Sequence, residues 1–176
     1  RITIKKIGFI DKIFFQYHDD LDYGWRAQLL GIPSFYEPNS TVFHKGSTTL
    51  MWSKKKFFFL ERNRWICLLT LLSRKNLLKI SPFLLVFEIY LFFFFLSKGM
   101  GITKLRSFFS LITKRDEIQK KYIITKNKRI LSDAQVIENF SIDVELPSIV
   151  IKQKSYKIFR NTVKKLLKIS YNLIKT

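Results

Sequence analysis

The chain has 176 residues, a length that suffices for one domain with a hydrophobic core. Its residues are 47% hydrophobic and 16% aromatic, a composition that excludes a disordered chain. Its 32 Lys and Arg against 13 Asp and Glu give a net charge of +19, so we expect an anionic partner: nucleic acid, anionic lipid or a phosphate-bearing substrate. The single cysteine, Cys67, excludes an internal disulfide.

The first predicted element is a helix over Asp20–Leu30, with Gly31 as its stop. Four side chains fall along one side of it at helical spacing: Leu21, Trp25, Gln28 and Leu29. Three carboxylates, Asp19, Asp20 and Asp22, stand at its N-terminal end, where one would be explained by helix capping. Three neighbouring carboxylates repel one another, and a divalent cation or a catalytic base among them would resolve the conflict.

Two short strands are predicted next, over residues 32–38 and 40–46, with a Pro-Asn-Ser turn between them. His44 lies near the end of the second strand and begins a basic, glycine-containing loop with Lys45. A lone histidine is most often structural. This one follows an acidic cluster, a setting that suits a metal ion and a phosphate.

Residues 53–100 are predicted to form helices, first basic and aromatic, then strongly apolar. Phe83–Leu96 is interrupted only by Glu88, and a membrane-spanning length of 20 residues, counted from Leu77, must include Lys79, Pro82 and Glu88. A single pass and a helix embedded at the membrane surface both remain open, as does a helix pair that hides its phenylalanines in a packed core.

Residues 101–176 predict a basic helical tail. Ser132 and Gln135 have the spacing of a capping box, and Pro147 is expected to separate two helical pieces. The last piece, residues 156–175, predicts a basic amphipathic helix with either a solvated face or a second membrane-surface contact.

Several of these residues follow one another in a specific order: Gly8-Phe9, Phe14-Phe15-Gln16-Tyr17, Asp19-Asp20-Leu21-Asp22, Arg26, Gly31, Pro38 and His44-Lys45-Gly46. This order resembles the C-terminal part of the catalytic domain of family-2 glycosyltransferases, above all the rhamnosyltransferase-like members. The segment "FLERNRW", which contains Arg62 and Asn63, is similar to the Arg-Asn segment that opens that family's C-terminal helices. The resemblance is close over residues 4–75 and looser over 76–140.

The resemblance implies an α/β fragment, in which residues 1–52 are the acceptor-side piece of a GT-A catalytic domain. Residues 53–100 would be amphipathic and apolar helices, and residues 101–176 the basic end of a mostly α-helical, membrane-associated tail. The family's nucleotide-binding half, which contains its Asp-x-Asp metal motif, is not found in this sequence. Asp20-Leu21-Asp22 has the Asp-x-Asp spelling but stands at the position of the base, so it is not interpreted as that motif. We therefore expect a transferase piece that is inactive without that half.

The resemblance also implies a chemistry: inverting transfer from a nucleotide-sugar donor to an acceptor hydroxyl on a glycan or lipid-linked carrier. Asp20 would be the general base, with Asp19 beside it in the catalytic pair. His44 would ligate a divalent cofactor, Mg or Mn. The remaining implied site residues would bind substrate: Asp22, Trp25, Arg26 and Lys45.

The alternative is a non-catalytic basic protein that binds a membrane surface or nucleic acid. Nucleic acid is disfavoured, because the sequence has no zinc-finger, RNP-type or KH signature and its phenylalanines lie in apolar runs. The expected partners are thus the sugar donor, its acceptor and an anionic membrane surface on the cytoplasmic side, with no nucleic acid.

Overall fold

The structure, a computed structural model, describes residues 2–43, 53–141 and 154–176. Its helices in that part are α1 (Ile2–Ile7), α2 (Asp19–Leu29), α3 (Lys54–Leu71), α4 (Arg74–Ser97), α5 (Gly101–Thr113), α6 (Arg115–Lys128), α7 (Asp133–Ile137) and α8 (Lys154–Lys175). The regular secondary structure of the described residues is helical, and these residues form no strand or sheet. The predicted α/β fold is therefore wrong.

The segment after α2 shows why the strand prediction failed. Residues 32–43 contain the predicted turn, in which Asn39 N–H donates to Glu37 Oε1 (3.0 Å) and Ser40 N–H donates to the Glu37 carbonyl (3.1 Å), but no strand on either side. The flanking apolar side chains face solvent: Phe35, Tyr36, Val42 and Phe43. Within the described residues no second strand lies alongside, and a β-strand needs a neighbour to pair its N–H and C=O groups.

Helix signals that depend on near neighbours in sequence are confirmed. Helix α2 lies within one residue of its predicted bounds, and Gly31 ends it with a φ of +67°, a backbone conformation that glycine adopts without strain. Ser132 and Gln135 form the predicted capping box at the start of α7. The predicted basic helix of the tail is α8. Pro147 lies outside the described residues.

The main apolar core lies where α2, α3 and α7 meet, with α4, α6 and α8 around them. Its most deeply buried side chains are Phe14, Leu29, Ile66, Leu71 and Val136. Helix α3 packs against α5 and α6, so helices from either side of residue 100 share one interior. The predicted domain boundaries after residues 52 and 100 stay predictions.

A second interior, between α3, α4 and α5, contains charges. The four-charge cluster consists of Glu61, Arg64, Glu88 and Lys104. Lys104 Nζ, whose side chain is fully buried, bonds Glu61 Oε2 and lies 2.6 Å from Glu88 Oε2. Arg64 bonds the same two carboxylates, at 3.0 Å from Glu61. Two cations thus balance two carboxylates, which is the condition under which buried charges are tolerated.

Candidate functional site

The loop that precedes α2 is held by two neighbouring side chains of α3. Asn63, which is fully buried, places its Nδ2 at 2.9, 2.6 and 2.8 Å from the carbonyl oxygens of Phe14, Gln16 and Tyr17. Arg62 donates to the carbonyls of Ile13 and Phe14 at 3.0 and 2.9 Å. These bonds join positions that are 46 to 49 residues apart in sequence.

The loop backbone is unusual. Phe15, Tyr17 and His18 have φ values of 60°, 66° and 62°, in the left-handed region that non-glycine residues rarely adopt. Such residues cost roughly 1 kcal/mol or more each and persist where surrounding contacts hold them. Asn63 and Arg62 supply those contacts. Strained backbone held in this way is a feature of functional sites, and here it leads directly into the carboxylates at the start of α2.

Asp19 and Asp20 occupy the first turn of α2, and Asp20 is exposed. Asp20 Oδ1 accepts a hydrogen bond from the Leu21 N–H at 2.8 Å. The residue before the helix, His18, gives no side-chain cap, so part of the predicted capping role falls to Asp20. Its exposed carboxylate can accept a proton from a hydroxyl group that reaches it from solvent.

The other three described residues that the sequence assigns to the site face inward. Asp22 is fully buried and pairs with Arg26 Nε (2.8 Å) and Lys121 Nζ (3.1 Å). Trp25 is buried and meets the Phe140 ring edge-on, with ring centroids 4.9 Å apart. The structure therefore does not bring Asp22 and Trp25 to the exposed side of Asp20. Their substrate-binding roles stay predictions.

Arg26 uses its donors within the fold. Besides Asp22, it donates to the carbonyls of Ile7 (2.6 Å) and Phe9 (3.0 Å), and so ties the end of α1 to α2. It also lines a cavity of about 330 Å³ between α2 and α6 that Asp11 and Lys121 share. Neither Asp19 nor Asp20 lines this cavity.

The predicted metal site has no structural counterpart in the described part of the chain. His44 and Lys45 lie outside the described residues. Among the residues that are described, no group of three or more His, Cys, Asp or Glu could hold a metal ion. Asp19 and Asp20 alone do not make such a group, so we derive no step through a metal.

Three residues of this site carry roles that reasoning from residue patterns did not assign: Arg62, Asn63 and His18. The segment with Arg62 and Asn63 stood out only through the family resemblance. A run of polar residues between two apolar runs of α3 was the available signal, because buried polar groups must find partners. His18 is partly buried, and burial followed by the nearby charge of Arg64 lowers its pKa, outweighing the opposing charges of Asp20 and Glu61.

His18 predicts a loss of stability on acidification. Since its pKa in the folded chain lies below the ordinary 6.5, the unfolded chain binds the proton more readily. The stabilisation is complete above pH 6.5 and is lost as the pH falls from there towards the folded pKa. We expect His18→Asn, which suits a left-handed backbone, to weaken the pH dependence of the free energy of unfolding below about pH 6.5. Urea denaturation at several pH values checks this, with Asp116→Asn at an exposed position of α6 as the control. An unchanged pH dependence in His18→Asn contradicts the prediction.

No protein-family model, curated protein or solved structure matches the chain. The observations that bear on function are thus the exposed Asp20, the held loop before it and the outward surfaces of the helices.

Proposed function

We propose that the chain contributes the acceptor-side base of an inverting sugar transfer at a membrane. The observation that carries the proposal is the exposed carboxylate of Asp20. It directly follows a loop whose strained backbone is held by Arg62 and Asn63. A rigidly placed carboxylate suits general-base catalysis because its effect depends on distance and direction to the proton. The family resemblance of the sequence supplies the reaction type.

In the proposed step, Asp20 takes the proton of an acceptor hydroxyl as the hydroxyl oxygen attacks the anomeric carbon of the sugar. The bond from that carbon to the nucleoside diphosphate breaks, and the diphosphate leaves with the electron pair. Asp19 is the adjacent carboxylate of the pair. The donor is a nucleotide-sugar, bound by the half of the enzyme that the resemblance implies, and the acceptor is a cell-surface or lipid-linked glycan on the cytoplasmic face.

The test compares Asp20→Asn with Asp116→Asn, a matched substitution at an exposed carboxylate of α6. Each chain is expressed together with a nucleotide-binding half, and transfer of labelled sugar to lipid-linked acceptors in membranes is measured. Asp20→Asn should lower transfer at least about 100-fold, because the base is lost while the shape is kept. Asp116→Asn should not change it. Retention of most of the activity in Asp20→Asn would remove the base from the proposal.

A second candidate function is a non-catalytic membrane-surface protein. One observation favours it: α4 and α5 turn apolar side chains outward, among them Leu85, Phe93 and Phe109. Vesicle binding that persists while no donor or acceptor supports transfer would favour this candidate over the transferase.

A further inference from the structure

Helix α4 carries one apolar stripe along its outer side. Leu78, Leu85, Ile89, Phe93 and Leu96 recur at helical spacing and are 49 to 72% exposed. Among the described residues, α4 is the one helix long and apolar enough to cross a membrane, with a mean hydropathy of 2.1, and only 17% of its most apolar window is buried. The phenylalanines of this helix therefore do not all belong to a packed core: Phe95 is buried, whereas Phe93 is 62% exposed.

Helix α5 buries its polar side and exposes an apolar side, the reverse of a helix in a water-soluble domain. It buries Thr103, Lys104 and Ser107 and exposes the stripe Ile102, Leu105, Phe109 and Ile112. In water the expected arrangement is the opposite one, because burial of apolar area is favourable and burial of a charge is costly. An apolar medium around the helix removes this conflict, since the lysine is paired inside and the apolar stripe meets hydrocarbon. Helix α5 packs against α4, so both stripes belong to one helical pair.

The charges around this pair are of one sign. Between residues 74 and 114 the only acidic residue is Glu88, which is buried in the four-charge cluster. The exposed charges in the same stretch are basic: Arg74, Lys75, Lys98 and Arg106. An apolar surface bordered by cations alone complements anionic headgroups over acyl chains. A second copy of the chain, with the same excess of positive charge, would meet it with repulsion.

The packing of α3 decides how α4 can meet a bilayer. Helix α3 runs back along α4, since Phe57 near its start packs on Phe95 near the end of α4, with ring centroids 5.1 Å apart. In its middle, α3 carries Arg62 and Asn63, which hold the loop before Asp20. If α4 crossed the bilayer, this polar assembly would lie near the membrane centre, where each charged side chain costs roughly 3 kcal/mol or more.

Helix α8 also packs along α4, and Lys79 Nζ of α4 donates to the Leu173 carbonyl of α8 at 3.3 Å. Helix α8 exposes Lys165 and Lys168. A crossing α4 would draw these lysines to bilayer depth as well. If α4 instead lies flat, its outer stripe enters the acyl region along about 27 Å of helix while α3 and α8 stay on the aqueous side.

We propose that α4 and α5 dock together into one leaflet of an anionic membrane, with α4 lying in the membrane plane rather than crossing it. The inference rests on the membrane partner in the proposed function and specifies how that partner is met.

The experiment measures depth in vesicles of phosphatidylcholine with about one third phosphatidylglycerol. An environment-sensitive label is attached to single cysteines at Leu78, Ile89 or Leu96 of α4 or at Phe109 of α5. The aqueous control is a label at Asn127, an exposed position of α6. The wild-type chain is the labelling control, because Cys67 is buried and its burial raises the pKa of the thiol, which keeps it unreactive. Quenchers placed at several lipid depths then locate each label.

If α4 lies flat, the labels at Leu78, Ile89 and Leu96 are all at shallow depth in the bilayer, and their depth stays nearly constant or changes steadily along the helix. The label at Phe109 is then also in lipid, and the label at Asn127 is in water. A profile that is deepest at Ile89 and shallow at both ends shows a crossing helix; it overturns the flat orientation and leaves the membrane partner standing. Failure of the wild-type chain to bind vesicles overturns both. Loss of transfer in Asp20→Asn tests catalysis alone, so the failures are distinguishable.

The surface itself is tested by Phe93→Ser/Phe109→Ser, which should lower vesicle partitioning about tenfold or more. The matched control is Phe35→Ser/Ile130→Ser, which removes two exposed apolar side chains elsewhere and should leave partitioning unchanged. If wild type forms a stable dimer without lipid and Phe93→Ser/Phe109→Ser makes it monomeric, the face binds a second copy and the lipid proposal is wrong.

Discussion

Lys104→Met is expected to lower the free energy of unfolding by about 3–5 kcal/mol. The substitution keeps the length and apolar character of the side chain but removes one of the two cations of the four-charge cluster. Glu61 and Glu88 then face Arg64 alone, and one carboxylate is left buried without a full charge partner. Urea denaturation of wild type and variant, followed by circular dichroism, measures the difference.

The double variant Glu88→Leu/Lys104→Met separates lost charge balance from lost packing. It removes one charge of each sign and leaves the pair of Arg64 with Glu61, so it should recover most of the loss. Lys126→Met at an exposed position of α6 should change stability by less than about 0.5 kcal/mol. If Lys104→Met alone lies within about 1 kcal/mol of wild type, the cluster does not stabilise the interior in the way its geometry implies.

Asn63→Ala is expected to cost about 2–4 kcal/mol and to loosen the loop before α2. The carbonyls of Gln16 and Tyr17 would lose their donor from Asn63, and the left-handed residues Tyr17 and His18 would lose the contact that holds them. Hydrogen exchange of residues 13–22, together with urea denaturation, measures both effects.

The matched control for Asn63→Ala is Asn127→Ala on an exposed position of α6, which should alter neither quantity. In a chain that supports transfer, Asn63→Ala should lose loop protection and transfer together, whereas Asp20→Asn should lose transfer with the loop intact. Unchanged exchange in residues 13–22 of Asn63→Ala would show that Asn63 does not hold the loop.

Features that depend on residues close together in sequence were predictable. The spacing of Ser132 and Gln135 specified the capping box, and the apolar period with Gly31 placed α2 to within one residue. Such signals are local because a cap or a turn of helix involves residues three or four positions apart. The predictions of strands over residues 32–38 and 40–46 used equally local patterns. They failed in their described part, residues 32–43, because a strand is stable only with a partner that no local pattern guarantees.

Residue order alone was enough to predict helix α2, the capping box of α7, the basic charge and the position of the carboxylates before Trp25. Helix α1 was not predicted. Sequence patterns did not reveal which charges are inside and which apolar side chains are outside, because that depends on contacts between helices. Asp22 is buried because Lys121 and Arg26 meet it, and Lys104 is buried because Glu61 and Glu88 do. Lys104 lies 43 residues from Glu61 and 16 from Glu88, so no periodicity along α5 could reveal its partners. A buried charge is stable only beside an opposite charge, and where that partner lies in space is decided by how the helices pack.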